Sequence, residues 1–126
     1  DGYLEVIEHY RQGEFHGTYQ KFYSDGQVSV AGEYIDGVMK GVWKTFYPSG
    51  QLKDEVMMSD NEENGPFTEY YENGQLKAEG TYLSGENEHG PLKLYNEDGV
   101  LIRTMDCNQG ICHTTWKIDT DTSTIR

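Results

Sequence analysis

The chain has 126 residues, the size of one domain, and carries 22 acidic against 10 basic side chains for a formal charge of −12, a balance that disfavours phosphate backbones and anionic headgroups. Hydrophobic residues reach only 35%, ten residues are tyrosine, and no run of about 18 apolar residues is long enough to span a bilayer as a helix. Fifteen glycines against three prolines, with apolar residues nowhere at i, i+3, i+4 and i+7, argue against long helices and for strands joined by turns.

In chain order, ten segments read as strands: 3-10, 17-23, 27-34, 41-47, 51-58, 65-71, 75-82, 90-96, 99-106 and 114-118. Three series of markers punctuate them. Gly2, Gly26, Gly50, Gly74 and Gly99 recur at spacings of 24, 24, 24 and 25 residues. Gly13, Gly37, Asn61, Gly85 and Gly110 form the second series, and Gly17, Gly41, Gly65, Gly90 and Thr114 the third. Between the markers, residue types align in columns: Tyr19, Trp43, Phe67, Leu92 and Trp116; Tyr23, Tyr47, Tyr71 and Asn96; Tyr10, Tyr34, Met58, Tyr82 and Cys107. The whole chain is therefore one repeat written about five times.

Asp-Gly, Ser-Gly and Asn-Gly between apolar-aromatic runs predict tight hairpin turns at the first marker series, because glycine accepts the positive φ such a turn needs. The second series predicts looser turns. Hairpins in sequence stack as an all-β, single-layer antiparallel meander, about 4.8 Å per strand, twisted and curled. Equivalent side chains one repeat apart become ladders across the sheet in place of a conventional core. Residues 1-118 are expected to form this array and 119-126 a polar C-terminal tail.

The segments Gly41 to Lys53 and Gly65 to Lys77 follow a pattern of Gly-x-aromatic, then two adjacent aromatics, then Gly-Gln-Leu-Lys. Gly17 to Val28 and Gly90 to Leu101 follow it more loosely, with Thr114 and Asn61 replacing glycine and one extra residue near Gly85 to Gly90. The pattern resembles the MORN repeat, and within it the bacterial variant whose members are often labelled YwqK-type antitoxins and are often exported. The resemblance implies a single-layered sheet of hairpins and a role in binding or scaffolding, without a residue-level motif to carry over.

Cys107 and Cys112 flank a short loop on adjacent strands and form a candidate disulfide, with the expected Cα separation in the ~4.4–6.8 Å range. Two thiols without a role are the alternative; the disulfide favours an oxidising compartment. His16, His89 and His113 share a repeat column but lie at least about 10 Å apart, too far to share an ion, so no metal site is expected. The acidic loop around Asp60, Glu62 and Glu63 lacks an EF-hand pattern and reads as a solvated turn, with Glu86 and Glu88 extending a negative edge. No phosphate loop, nucleophile elbow or zinc-protease motif occurs, so neither an enzyme nor a cofactor is expected.

What remains is a binding or scaffold module for a protein partner at the bacterial envelope, with no nucleic acid and no direct anionic-membrane contact. Trp43 and the column Tyr23, Tyr47 and Tyr71 form the candidate aromatic face, with the tyrosine column expected to be the more exposed. An antitoxin or immunity protein neutralising a basic toxin is the alternative, since the charge of −12 has the complementary sign. A structural segment of a longer array is the third reading, because Asp1-Gly2 begins in register with Asp25-Gly26. Localisation is expected to be extracytoplasmic, with a cytoplasmic setting as the alternative.

Overall fold

A computed structural model describes residues 5–85 and 87–118. The predicted tail at 119–126, the start of the first predicted strand and Glu86 lie outside the described residues. Ten strands form one antiparallel sheet: β1 (Val6–Ile7), β4 (Gly17–Phe22), β5 (Val28–Ile35), β6 (Val38–Phe46), β7 (Leu52–Ser59), β8 (Glu62–Tyr70), β9 (Leu76–Tyr82), β10 (Gly90–Tyr95), β11 (Leu101–Asn108) and β12 (Ile111–Lys117). Two further short strands, β2 (Tyr10–Arg11) and β3 (Glu14–Phe15), pair as a separate hairpin. The strand predicted over 3-10 is thus divided between β1 and β2. Apart from that, each strand of the meander pairs with its neighbours in sequence, and the sheet does not close.

The two kinds of turn are the reverse of the expectation. The second marker series makes the tightest hairpins: Gln12-Gly13, Asp36-Gly37, Asp60-Asn61 and Gln109-Gly110 each have positive φ at both positions, between the pairs Arg11–Glu14, Ile35–Val38, Ser59–Glu62 and Asn108–Ile111. That is the two-residue turn whose twist matches the strands. Asn61 fills the glycine place at φ 70°, which asparagine tolerates better than most residues. The first series makes three-residue loops instead. At Gly50, φ is 96° and its N–H donates to the Tyr47 carbonyl at 2.8 Å, while the Tyr47 N–H donates to the Gln51 carbonyl. The residue ahead of the glycine supports the loop: Asp25 Oδ1, Ser49 Oγ and Asn73 Oδ1 accept from the N–H groups of Gln27, Gln51 and Gln75.

The third series has a different task. Around Gly41, β6 spends four residues (Lys40 to Lys44) where β5 spends two (Glu33 to Ala31), and Gly41 holds φ at 77°. This wide bulge bends the strand and brings the Trp43 ring flat over Gly32, where a Cβ would come within 2.0 Å of Trp43 Cδ2. Around Gly65 the same count recurs, and Phe67 and Leu92 close over Gly80. Bulky side chains alternate with glycine or valine across the sheet, so one layer of strands buries a core. Trp43 and Phe67 are each 5% exposed and Leu92 is 8% exposed.

Successive repeats are also tied at their tips. Gly37, Gly85 and Gly110 donate their N–H groups to the carbonyls of Phe15, Glu63 and Glu88 at 2.8–2.9 Å. These bonds fix the stagger of one hairpin on the next.

Candidate binding face

Paired residues share a face, and alternation along each strand assigns the rest. One face carries Tyr19, Gly32, Trp43, Val56, Phe67, Gly80 and Leu92 in one row; a second row holds Lys21, Val30, Thr45, Asp54, Glu69 and Ala78. Over β4 to β8 this face is hollowed into an open trough of about 450 Å³. Tyr19, Tyr34, Trp43 and Met58 supply its apolar lining, and Lys21, Asp54 and Glu63 its charges. The rings of Tyr19, Tyr34 and Trp43 lie 5.2–5.7 Å apart, with Tyr34 edge-on to both others, so they brace one another as a rigid wall.

The tyrosine column is placed differently from the expectation of exposure. Tyr23, Tyr47 and Tyr71 are half-buried, and their phenols donate to the main-chain carbonyls of Phe46, Tyr70 and Tyr95 at 2.5, 2.7 and 2.7 Å. Each partner lies one repeat ahead. Lys53 and Lys77 lie over the rings of Tyr47 and Tyr71 at 5.7 and 5.6 Å from the centroids. A phenol needing a partner finds one in the strand two places along the sheet, and the column becomes a set of clasps between repeats. Trp43, also a candidate anchor, is buried, with its indole N–H donated to the Glu33 carbonyl at 3.2 Å. It forms the floor of the trough instead of projecting from it.

Trp116 departs from its column. Thr114 lacks the positive φ that glycine supplies at the same place in the earlier repeats, and β12 makes a bulge with one extra residue where β6 and β8 make two. The register moves by one, Trp116 comes opposite Thr104, and its side chain turns to the other face, 47% exposed. A single threonine in the glycine series thus turns a tryptophan outward.

Cys107 and Cys112 are disulfide-bonded, with Cα atoms 4.0 Å apart, closer than the range set for them from the sequence. They are directly opposed across β11 and β12, one pair in from the two-residue turn. The equivalent pairs in the other hairpins are Tyr10–Phe15, Tyr34–Met39 and Met58–Glu63. Cys107 packs with Phe67 and Leu92, so the bond closes the end of the aromatic row.

Charge on the concave face is concentrated where Asp54 and Glu69 stand directly opposite each other. Glu69 is pushed above the usual carboxylate range by burial first and then by Asp54 and Glu88, while Lys77 and Lys53 pull it back. On the other face, the Tyr95 phenol donates to Glu79 Oε2 at 2.6 Å, and that bond, with burial and the carboxylate charge, pushes its pKa up to about 12. His16 accepts from the Asp36 N–H at 3.2 Å, while His113 lies opposite Asp106 at the far end of the sheet. Among the described residues no three His, Cys, Asp or Glu side chains converge as metal ligands would.

The sequence matches the MORN repeat variant over residues 15–36, 39–60 and 63–83, more than half of its length. No curated protein matches the chain. The first two matched segments each run from one two-residue turn to the next, and the third runs from the turn at Asp60-Asn61 to the longer loop after Tyr82. The hairpin of β10 and β11 lies beyond those segments but keeps the same pairing. The chain belongs to the MORN repeat variant family.

Proposed function

We propose that this protein is a non-enzymatic polypeptide-binding module whose concave face receives a basic, apolar segment of a partner protein. The observation that carries this reading is the trough of about 450 Å³, which combines an aromatic wall with the carboxylates of Asp54 and Glu63. A rigid aromatic surface gives contact area with little ordering cost, and carboxylates beside it select against acidic partners. The charge of −12 steers a basic partner toward the sheet at low salt. A repeat array that spreads the same kinds of side chain along an open sheet suits binding or scaffolding better than catalysis.

The disulfide supports an oxidising setting such as the periplasm or cell surface. A basic toxin is one partner of this chemistry, and the net charge favours it; an envelope scaffold is the broader reading. Titration calorimetry with two synthetic peptides tests the proposal. One alternates Arg or Lys with Leu or Phe; the other has Glu in the cationic places. The proposal expects salt-sensitive binding of the first alone, weakened by Asp54→Asn with Glu63→Gln. Equal binding of both peptides, or of neither, contradicts it.

A further inference from the structure

In the central repeats, the strands that follow the turns at Asp36-Gly37 and Asp60-Asn61 are each anchored by a buried side chain. Trp43 anchors β6 on Gly32, and Phe67 anchors β8 beside Gly80. After the longer loop, Leu92 does the same for β10. β12 has no such residue. Trp116 faces the other way, Ile111 is 77% exposed, and from Ile111 to Lys117 every side chain except Cys112 is exposed. Its ties are the main-chain ladder from Arg103–Lys117 to Asn108–Ile111, continued by the Ile118 N–H to the Ile102 carbonyl at 2.9 Å, a 2.8 Å hydroxyl contact between Thr104 and Thr115, and the half-buried Cys112 against the Phe67–Leu92–Cys107 cluster. A strand held mainly by its ladder, with one disulfide cysteine as its packed side chain, is marginal once that cysteine is released. In this hairpin the disulfide occupies the place that Tyr10–Phe15 and Tyr34–Met39 hold in the first two.

From this we infer that the Cys107–Cys112 disulfide is a redox-sensitive latch: reduction releases β12 from the sheet while the strands up to β11 remain folded. A dithiol reductant supplies the electrons. One of its thiolates attacks Cys112 Sγ, the more exposed of the two sulfurs, and Cys107 leaves as a thiolate that takes up a proton. The second thiol of the reductant then closes its own disulfide and frees Cys112. In sum, two electrons and two protons pass to the protein and the reductant is oxidised to its disulfide. Cys107 is 3% exposed and rests on Phe67 and Leu92, so the core end stays packed after the bond opens. The released strand uncovers the β11 edge from Arg103 to Asn108, a row of main-chain donors and acceptors able to accept a partner strand.

Hydrogen exchange of the full chain, with and without the dithiol dithiothreitol, tests the latch. Intact mass, higher by two hydrogens, verifies reduction. The expected result is exchange about tenfold or more faster at residues 111–117, with the amides of β6 to β9 unchanged and protection restored on reoxidation. The double variant Cys107→Ala, Cys112→Ser should show the same pattern without reductant. Unchanged protection at 111–117 after complete reduction overturns the inference. So does loss of protection throughout the sheet, which would make the bond a requirement for the fold and not a latch.

Discussion

The phenol of Tyr47 donates to the main-chain carbonyl of Tyr70 at 2.7 Å, reaching from one hairpin into the next. Tyr23 and Tyr71 make the same bond to Phe46 and Tyr95, so three clasps run along the array, and Lys53 and Lys77 cover two of them. Replacing the hydroxyl leaves ring packing in place and removes one half-buried hydrogen bond. Tyr47→Phe and Tyr71→Phe should each cost about 1 kcal/mol in denaturant unfolding. Neither should change affinity for a basic peptide; a loss of binding with no loss of stability would return the column to the binding surface.

Glycine beneath an aromatic ring makes a second, ranked prediction. A methyl at Gly32 would meet Trp43 at 2.0–2.5 Å, and that ring is backed by Tyr19 and Tyr34. At Gly80 the nearest atoms are Leu92 Cδ1 at 2.9 Å and the Phe67 ring at 3.0 Å. A leucine methyl can turn aside; a braced indole cannot. Gly32→Ala should destabilise by about 3 kcal/mol, at the upper end of overpacking costs, and Gly80→Ala by about 1 kcal/mol. Thermal unfolding of both variants decides the order, and the reverse order would mean that Trp43 is not seated as described.

Tyr95 gives the protein a pH dependence of definite sign. Its pKa is raised to about 12, first by the bond to Glu79, so in the interval above the ordinary phenol value of about 10 the native state holds a proton that the unfolded chain has lost. The stabilisation is complete below about pH 10 and is lost as pH rises toward 12. Glu69 acts at the other end of the scale. Burial raises it, so the native state binds the proton more tightly and the carboxylate opposes folding above its native pKa. Glu69→Gln should raise the unfolding midpoint at neutral pH and lose that advantage in acid, near pH 3. Ultraviolet titration should show the high-pH phenol step move down in Tyr95's absorbance when Glu79 becomes Gln.

The two tryptophans report on the register of the last strand. Trp43 is buried and Trp116 is 47% exposed because Thr114 narrows the bulge. In a Trp43→Phe background, Thr114→Gly should permit the wider bulge of β6 and β8 and turn Trp116 toward the concave face. Acrylamide quenching of Trp116 should then fall severalfold. Unchanged quenching would show that Thr114 does not set the register.

Much of this was legible in the glycine spacing. Columns 24 residues apart located the strands, and the row of Tyr19, Trp43 and Phe67 packs along one face as its periodicity implied. Which turn was tighter was not legible, because Asp-Gly and Ser-Gly suit both a two-residue turn and a three-residue loop. The pairing across Gln12-Gly13 or Asp60-Asn61 separates them, and that depends on strand neighbours. The fate of the tyrosine column was hidden for a related reason: its acceptors are main-chain carbonyls, which no residue type marks. Trp116 was misplaced because a column assumes a constant bulge, and Thr114 changes it. The trough was not visible either, since Glu63 comes opposite Met58 only because the bulge at Gly65 inserts two residues into β8, and a turn-to-turn column does not show that.

The central claim is that the concave trough is where a partner binds. Backbone amide NMR of the full chain, titrated with the Arg/Lys and Leu/Phe peptide, tests it most directly. The account predicts shifts concentrated at Tyr19, Tyr34, Asp54, Met58 and Glu63 and at the Trp43 indole N–H, with Lys44, Thr68 and Lys93 on the other face unmoved. Shifts confined to that other face, or none at saturating peptide, would contradict it.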